Sequence, residues 1–121
     1  MRKKSLRIAV TGASGFIGGH LVTSLNLLGH RIVAISRRRV EDFPSSVLQI
    51  TIGDLAHEVN WTPILSGVDV VIHLAAIAHA TRPLPEASYD KVNHLAVVAL
   101  AQHCSRLDAR LICCGSDWPG P

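Results

Sequence analysis

Near the amino terminus of this chain, three glycines separate a short apolar run from a segment with helical periodicity. The apolar run covers residues 6–10, and the segment that follows, Thr11–Gly18, reads TGASGFIG. Gly12 permits a tight turn out of a strand, Gly15 lets a phosphate group approach the backbone, and Gly18 allows a helix to pack closely on a sheet. A strand, a glycine turn and a helix in this order predict that backbone N–H groups at the helix start face phosphate groups.

Two other interpretations of this loop have to be considered. The glycines could shape a tight strand-to-helix turn without binding a ligand. A phosphate-loop nucleotide hydrolase needs Gly-Lys followed by Ser or Thr where the loop ends, whereas this chain has Gly18, Gly19 and His20 there, so that class is excluded. The flanking strand and helix favour dinucleotide binding. The predicted cofactor-binding residues of the loop are Gly12, Ser14, Gly15, Phe16, Ile17 and Gly18.

Apolar runs and helical patterns alternate along the rest of the chain. Further strands are predicted at residues 31–35, 47–52, 68–74 and 109–114. Helices are predicted from residue 15 to a cap at Gly29, weakly over 55–65 with an interruption at Pro63, and over 86–104. The first helix is predicted to bury Ile17, Leu21, Leu25 and Leu28, and the last to bury Val92, Ala96, Ala99, Leu100 and Cys104.

The order of these elements predicts the fold class. Strands and helices that alternate with short loops, without internal repeats, are typical of a parallel sheet with right-handed crossovers. We therefore predict an α/β fold, a Rossmann-type doubly wound parallel sheet of about five strands, truncated after the fifth strand.

Composition limits the classes of function. Hydrophobic residues make up 48% of the 121 residues and charged residues 17%, which is enough to bury a core and excludes a disordered charged tail. The net charge of +3 comes mainly from residues 1–4 and 37–39, without the broad basic stripe and interleaved aromatics of a nucleic-acid-binding protein. We therefore expect no nucleic-acid partner. Neither a membrane-spanning run nor a signal-like segment is evident, so we expect no membrane partner and a cytoplasmic location.

Cysteines and histidines form no metal motif in this sequence. Cys104, Cys113 and Cys114 are an odd number without metal-type spacing, and we expect reduced, mostly buried thiols. The seven histidines include no His-x-x-x-His pair, and none is at zinc spacing from a cysteine. We therefore predict no metal site.

The loop TGASGFIG resembles the cofactor motif of the extended branch of the short-chain dehydrogenase/reductase superfamily, which includes the NAD(P)-dependent sugar epimerases and dehydratases. Three later segments resemble the same family in the same order: Gly53–Leu55, the run Val68–Ala76, and Asn93 in a predicted helix. The resemblance is greatest to nucleotide-sugar 4-epimerases such as UDP-glucose 4-epimerase.

This resemblance implies roles for residues outside the glycine loop. Asp54 and Leu55 would hold the adenine ring of the cofactor. The backbone of the turn at Leu74, Ala75 and Ala76 would line the central part of the cofactor. Asn93 would steady the active site.

The residues after the second strand bear on the choice between NADP and NAD. NAD enzymes usually carry Asp or Glu about 20 residues after the glycines, where it binds the ribose 2′-OH. This chain has Ser36 followed by three arginines, residues 37–39. Because an arginine can pair with a 2′-phosphate, Arg37 and Arg38 predict NADP as the preferred cofactor, with the third arginine a solvated charge. The acidic residues 41–42 keep NAD as the alternative.

The resemblance also implies a catalytic group of a serine, a tyrosine and a lysine four residues after the tyrosine. Residues 111–116 resemble a family strand that ends in Ser-Ser, which makes Ser116 the candidate catalytic serine, although a glycine replaces the first of these serines. Tyr89 and Lys91 cannot replace the Tyr-x-x-x-Lys pair, because residues two apart on a helix point in different directions. We therefore expect residues 1–121 to be an incomplete NAD(P)-binding domain, without the catalytic helix and the substrate lobe, and to be inactive alone.

Three functions remain open at this point. The chain could be the cofactor half of a nucleotide-sugar epimerase or dehydratase that transfers hydride at a sugar carbon, with the dinucleotide and a nucleotide sugar as partners. It could be a non-catalytic NADP-binding module such as a redox sensor, or a remnant without independent activity. A bare fifth strand would be an exposed sheet edge, so a homo-oligomer could form through that strand or through the helix at 86–104.

Overall fold

A computed structural model describes residues 5–52, 60–74 and 86–113, with side-chain surroundings given for all of these except 86–96. Within these ranges the secondary-structure elements are, in chain order, β1 (Arg7–Thr11), α1 (Phe16–Leu27), β2 (Arg31–Ser36), β3 (Leu48–Thr51), α2 (Trp61–Leu65), β4 (Val70–His73), α3 (Glu86–Leu107) and β5 (Arg110–Cys113). The alternation of strands and helices follows the sequence prediction, with most boundaries shifted by one to three residues.

The strands form one sheet in the order β3-β2-β1-β4-β5, and every neighbouring pair is parallel. β1 lies in the centre. The chain proceeds from β1 to β2 and β3 on one side, and then crosses to β4 and β5 on the other. This reversal creates a topological switch point between β1 and β4 at the carboxyl edge of the sheet, where α/β proteins bind ligands. The predicted α/β fold with a doubly wound parallel sheet is confirmed.

Helices cover both faces of the sheet, and each face has its own hydrophobic core. Successive residues of β1 point to opposite faces, so Val10 and Ala9 belong to different cores. On the α1 side the buried residues are Ile8, Val10, Ala13, Val22, Ile32, Ala34 and Val47. On the side of α2 and α3 they are Ala9, Val33, Ile35, Trp61, Leu65, Val68, Val71, Leu100 and Cys104. The buried Leu100 and Cys104 confirm that part of the predicted α3 stripe, whereas the side chains of Val92 and Ala96 lie outside the described residues.

The predicted buried stripe of α1 is wrong at two of its four positions. Ile17 is 69% exposed and Leu28 is 71% exposed. The helix instead turns Gly18 and Val22 toward the sheet, and it also packs Leu21 and Leu25 against that core. The reason is that Gly18 contacts the turn through its backbone, and this close contact fixes the rotation of the helix about its axis.

The carboxyl end of α1 confirms the predicted glycine cap. Gly29 has φ of +92°, a left-handed conformation that favours glycine. Its N–H donates to the carbonyl of Asn26 at 3.0 Å, and the N–H of His30 donates to the carbonyl of Leu25 at 3.2 Å. This pair of hydrogen bonds is a Schellman motif, which turns the chain directly into β2.

Two further predictions need correction. Pro63 does not interrupt α2, because it lies in the first turn of that helix, where a backbone N–H has no helical partner. Residues 55–59 of the predicted helix lie outside the described residues. Cys113 is exposed rather than buried, because β5 is an edge strand. Cys104 is buried as predicted, and burial raises the pKa of its thiol, with a further contribution from Cys113.

Across the described ranges, none of the helices combines the length and the apolar character that crossing a lipid bilayer requires.

Candidate functional site

The carboxyl ends of three neighbouring strands bring the candidate site together. In the sheet register, Thr11 of β1 lies beside Ile35 of β2 and beside His73 of β4. The carboxyl ends of β1, β2 and β4 therefore lie at the same edge of the sheet. A crevice at this edge, beside the switch point, is where an open α/β sheet places a nucleotide.

The turn after β1 has the backbone conformation that the glycine pattern predicts. Gly12 has φ of +69°, and its carbonyl accepts a hydrogen bond of 3.1 Å from the N–H of Gly15. The N–H of Ala13 donates to the carbonyl of Ile35 at 3.2 Å, which joins the turn to the end of β2. These contacts fix the turn at the edge of the sheet and direct the chain into α1.

Gly15 is the residue that caps the amino end of α1. Its φ of −75° and ψ of 172° are extended, and it provides no side chain to accept hydrogen bonds from the first turn. Within the described residues, the first turn of α1 contains no acidic residue either. The amino end of α1 is therefore suited to an external anion, since its N–H groups and the helix dipole both favour negative charge.

Gly18 is required for packing. A Cβ atom at this position would collide with the carbonyl oxygen of Gly12 and would lie 2.9 Å from the Cα of Ala13. At Gly15 the nearest atom to an added Cβ, the Gly12 oxygen, is at 3.4 Å, which is ordinary contact. Gly18 therefore holds the helix against the turn, whereas Gly15 leaves open space that a ligand can use.

The other predicted residues of the loop lie beside this opening. Ser14 is partly buried, whereas Phe16 is 82% exposed and Ile17 also projects outward from the first turn of α1. The ring of Phe16 packs edge-on against His20, with 4.7 Å between the ring centroids. Phe16 and Ile17 can therefore contribute backbone N–H groups to the site, while their side chains form an apolar surface next to it.

A buried hydrogen-bonded group joins β1 to β4 at the switch point. The hydroxyl of Thr11 lies 2.7 Å from Nδ1 of His73 and accepts a hydrogen bond of 2.9 Å from the N–H of Leu74. Burial lowers the pKa of His73 to about 4, so its imidazole is neutral at neutral pH. Leu74 was predicted from the sequence as a cofactor-binding residue, whereas the roles of Thr11 and His73 were missed. The sequence signal that could have identified them is that each is a polar residue at the end of an apolar strand.

The turn after β2 presents the predicted arginines. Arg37 and Arg38 are exposed, and the hydroxyl of Ser36 donates to the carbonyl of Arg38 at 2.5 Å. The side-chain amide of Gln49 makes two hydrogen bonds of 2.8 Å to the backbone N–H and carbonyl of Val40, where the turn ends. The turn is thereby held at both ends while the two guanidinium groups are free to reach a ligand. Sequence reasoning missed Gln49, because its partner is backbone and leaves no side-chain pattern.

Several predicted residues lie where the structure gives no test. Asp54, Leu55, Ala75, Ala76 and Ser116 lie outside the described residues. Asn93 belongs to α3, but its side chain also lies outside the described residues. In the part of the chain that is described, His, Cys, Asp and Glu do not gather in groups of three or more that could hold a metal ion.

Comparison with known proteins agrees with this geometry. Residues 8–120 match the NAD dependent epimerase/dehydratase family. UDP-glucose 4-epimerase of Vibrio cholerae is 33% identical over 104 residues, which are 84% of this chain and 31% of that protein. An uncharacterized protein of Mycobacterium tuberculosis is 30% identical over 125 residues, covering 93% of this chain and 14% of the relative. The chain thus spans less than a third of either relative.

A solved structure shows the same arrangement of strands and helices. MoeE5 in complex with UDP-glucose and NAD matches with a TM-score of 0.76 and 35% identity, over 92% of this chain and 36% of that one. The family match begins in β1, includes the glycine turn and the carboxyl edge of the sheet, and extends past β5. The chain therefore belongs to the NAD dependent epimerase/dehydratase family.

Proposed function

We propose that this chain binds a nicotinamide dinucleotide at the carboxyl edge of its sheet and is the cofactor-binding part of a nucleotide-sugar epimerase or dehydratase. In this proposal residues 1–121 form an NAD(P)-binding domain that is incomplete as a catalytic unit. The observation that carries the proposal is the amino end of α1. There a left-handed Gly12, an uncapped helix start at Gly15 and the close contact of Gly18 coincide at a topological switch point.

The residues present fit the parts of a dinucleotide. The N–H groups at the start of α1, from Gly15 to Ile17, would bind the pyrophosphate. The backbone of Leu74, Ala75 and Ala76 would lie along the central part of the cofactor, and Asp54 and Leu55 would hold the adenine. When bound, the nicotinamide ring would accept and return a hydride at a sugar carbon. The protein's part described here is to bind and orient that cofactor.

The sugar-nucleotide part of the proposal rests on likeness. The relative from Vibrio cholerae is a UDP-glucose 4-epimerase, and MoeE5 was solved with UDP-glucose and NAD. Because this chain spans about a third of each of these proteins, we propose the activity for a longer catalytic unit. Ser116 would be the catalytic serine of that unit, and Asn93 would steady its active site.

The proposal includes NADP as the preferred cofactor, with NAD as the alternative. The support is the pair Arg37 and Arg38, whose exposed guanidinium groups follow β2 on a turn that Gln49 holds in place. In a Rossmann-type sheet this turn lies next to the adenosine ribose, where an acidic residue would repel a 2′-phosphate and an arginine would bind it.

Replacing Arg37 and Arg38 together with alanine is expected to weaken NADPH binding by at least roughly 10- to 100-fold, the effect of losing one charge-assisted hydrogen bond of about 1.5–3 kcal/mol. The dissociation constant for NADH should change by less than about threefold, which is below 1 kcal/mol. Both constants can be measured by nicotinamide fluorescence. The Arg39→Ala variant is the matched control, since Arg39 is equally exposed on the same turn and should leave both constants unchanged. Equal losses of affinity for NADPH and NADH in the double variant would show that the arginines do not bind the 2′-phosphate.

Location and self-association complete the proposal. We place the protein in the cytoplasm, on the basis of its three cysteines, an odd number without metal-type spacing. A second copy of the chain could pair along β5, because this edge strand exposes Ile112 and Cys113.

A further inference from the structure

Three polar groups, two of them on buried side chains, meet where β1 and β4 end. Thr11 is fully buried and His73 is 6% exposed. The two residues are direct neighbours in the parallel register, although 62 positions separate them in the sequence. Their side chains are 2.7 Å apart, and the Thr11 hydroxyl also accepts the N–H of Leu74 at 2.9 Å. Buried polar groups of this kind are costly unless their geometry is satisfied.

One arrangement of protons makes both hydrogen bonds with the Thr11 hydroxyl as the donor to His73. The Thr11 hydroxyl has a single hydrogen, and the Leu74 N–H occupies one of its acceptor lone pairs. When Nδ1 of His73 is unprotonated, it can accept the hydroxyl hydrogen, and the imidazole then has its proton on Nε2. Burial disfavours the doubly protonated imidazole, which could not accept this hydrogen bond. His73 would therefore set the direction of the Thr11 hydroxyl.

This direction matters because of what Thr11 and Leu74 connect. Thr11 is the last residue of β1 and precedes the glycine turn, while Leu74 is the first residue after β4. Thr11 and Leu74 therefore lie at the carboxyl ends of the two strands that flank the crevice at the switch point. A hydroxyl held with its lone pair toward the Leu74 N–H fixes one side of the crevice relative to the other.

We propose that His73 is a positioning residue for dinucleotide binding: its Nδ1 accepts the Thr11 hydroxyl proton, and the oriented hydroxyl holds Leu74 at the distance from the glycine turn that the cofactor needs. This inference rests on the proposed function. His73 touches neither the cofactor nor the substrate in this scheme. Its effect passes through Thr11 to the backbone of Leu74.

Two substitutions at residue 73 distinguish the effect of a hydrogen-bond acceptor from the effect of side-chain size. Asparagine places an amide oxygen one bond beyond Cγ, as Nδ1 is in histidine, whereas leucine places a methyl group there. His73→Leu is expected to weaken NADPH binding about tenfold and to speed hydrogen exchange at the Leu74 amide about tenfold, the effect of losing one buried hydrogen bond. His73→Asn should stay within about threefold of the wild type in both measurements. Thr11→Val should match His73→Leu, and the double variant Thr11→Val/His73→Leu should lose little more than either single one.

A spectroscopic measurement reports the tautomer of His73 in the wild-type chain directly, and one variant serves only to assign the signals. In a chain labelled with ¹⁵N-histidine, the His73 signals, assigned by their loss in His73→Asn, should show an unprotonated Nδ1 and a protonated Nε2. A protonated Nδ1, or equal losses in the Asn and Leu variants, would overturn the proposal. Failure of the wild type to bind NADPH or NADH would reject the proposed function alone, because the tautomer and the Leu74 exchange rate in the ligand-free chain still decide whether His73 orients Thr11.

Discussion

Replacing Gly15 with aspartate is expected to abolish NADPH and NADH binding while α1 and the rest of the fold stay intact. Gly15 has extended backbone angles, and an added Cβ meets only the Gly12 oxygen at 3.4 Å, so the structure accommodates a side chain there. Aspartate is also a favoured residue at the amino cap of a helix, where it accepts hydrogen bonds from the first turn. The carboxylate would occupy the N–H groups that the pyrophosphate needs and would repel it.

The expected loss is more than about 100-fold in dinucleotide affinity, and the midpoint of thermal unfolding should be unchanged or slightly raised, since aspartate at an amino cap is more stable than glycine by roughly a few tenths of a kcal/mol. Gly15→Asn is the matched control, because asparagine has the same shape without the charge and should retain more affinity than aspartate. Fluorescence titration measures the first quantity and circular dichroism the second. A folded Gly15→Asp variant that binds NADPH as the wild type does would show that the site lies elsewhere.

Replacing Gly18 with alanine is expected to destabilise the whole domain. The new Cβ would overlap the Gly12 carbonyl oxygen and crowd the Cα of Ala13, and both are backbone atoms that cannot move aside without shifting α1 or the turn. Overpacking of this kind costs roughly 1–3 kcal/mol, and the upper part of that range applies because the contact is with backbone. This is a large fraction of the roughly 5–15 kcal/mol by which a domain is stable.

Gly19→Ala provides the control for Gly18→Ala. A Cβ at Gly19 has only ordinary contact, with the Ala13 oxygen at 3.8 Å, and alanine is favoured over glycine inside a helix by about 1 kcal/mol. Urea unfolding should therefore show a lower free energy of unfolding for Gly18→Ala and an equal or higher one for Gly19→Ala. Equal stability of the two variants would contradict the close contact between α1 and the turn.

The sequence was sufficient to predict the fold because the chain's local patterns agree with its topology. β4 is apolar up to its last residue, His73, and the glycine turn stands between a strand and a helix. Gly29 ends α1 as the predicted cap, in a left-handed conformation. Parallel strands with intervening helices then leave few topologies to choose from. The order of the strands, β3-β2-β1-β4-β5, was not predicted and comes from the structure.

The errors arose where tertiary contacts decide the outcome. Helical spacing placed Ile17 and Leu28 on the buried side of α1, but the backbone contact of Gly18 rotates them into solvent. Apolar character placed Cys113 in the core, but its strand lies at the edge of the sheet. Neither the rotation of a helix nor the position of a strand in the sheet is encoded in the residues of that element alone.

Part of the candidate site could be predicted from the sequence, and part of it could not. Its glycines could be identified from spacing, because a turn with positive φ and a close helix contact each require that residue type. The Thr11–His73–Leu74 group could not, because its members meet only when β1 and β4 pair across 62 positions of the chain. Gln49 could not be identified from the sequence either. It lies on the neighbouring strand and holds the turn at residues 37–39 by hydrogen bonds to backbone atoms of Val40.

The central claim is that the glycine turn and the start of α1 bind a nicotinamide dinucleotide. The most direct test is an equilibrium titration of the wild-type chain with NADPH, and separately with NADH, followed by nicotinamide fluorescence, with the Gly15→Asp variant as the blank. We expect saturable binding of one dinucleotide per chain, tighter for NADPH than for NADH and absent from the blank. A wild-type chain that is folded by circular dichroism and shows no saturable binding of either dinucleotide would contradict the claim.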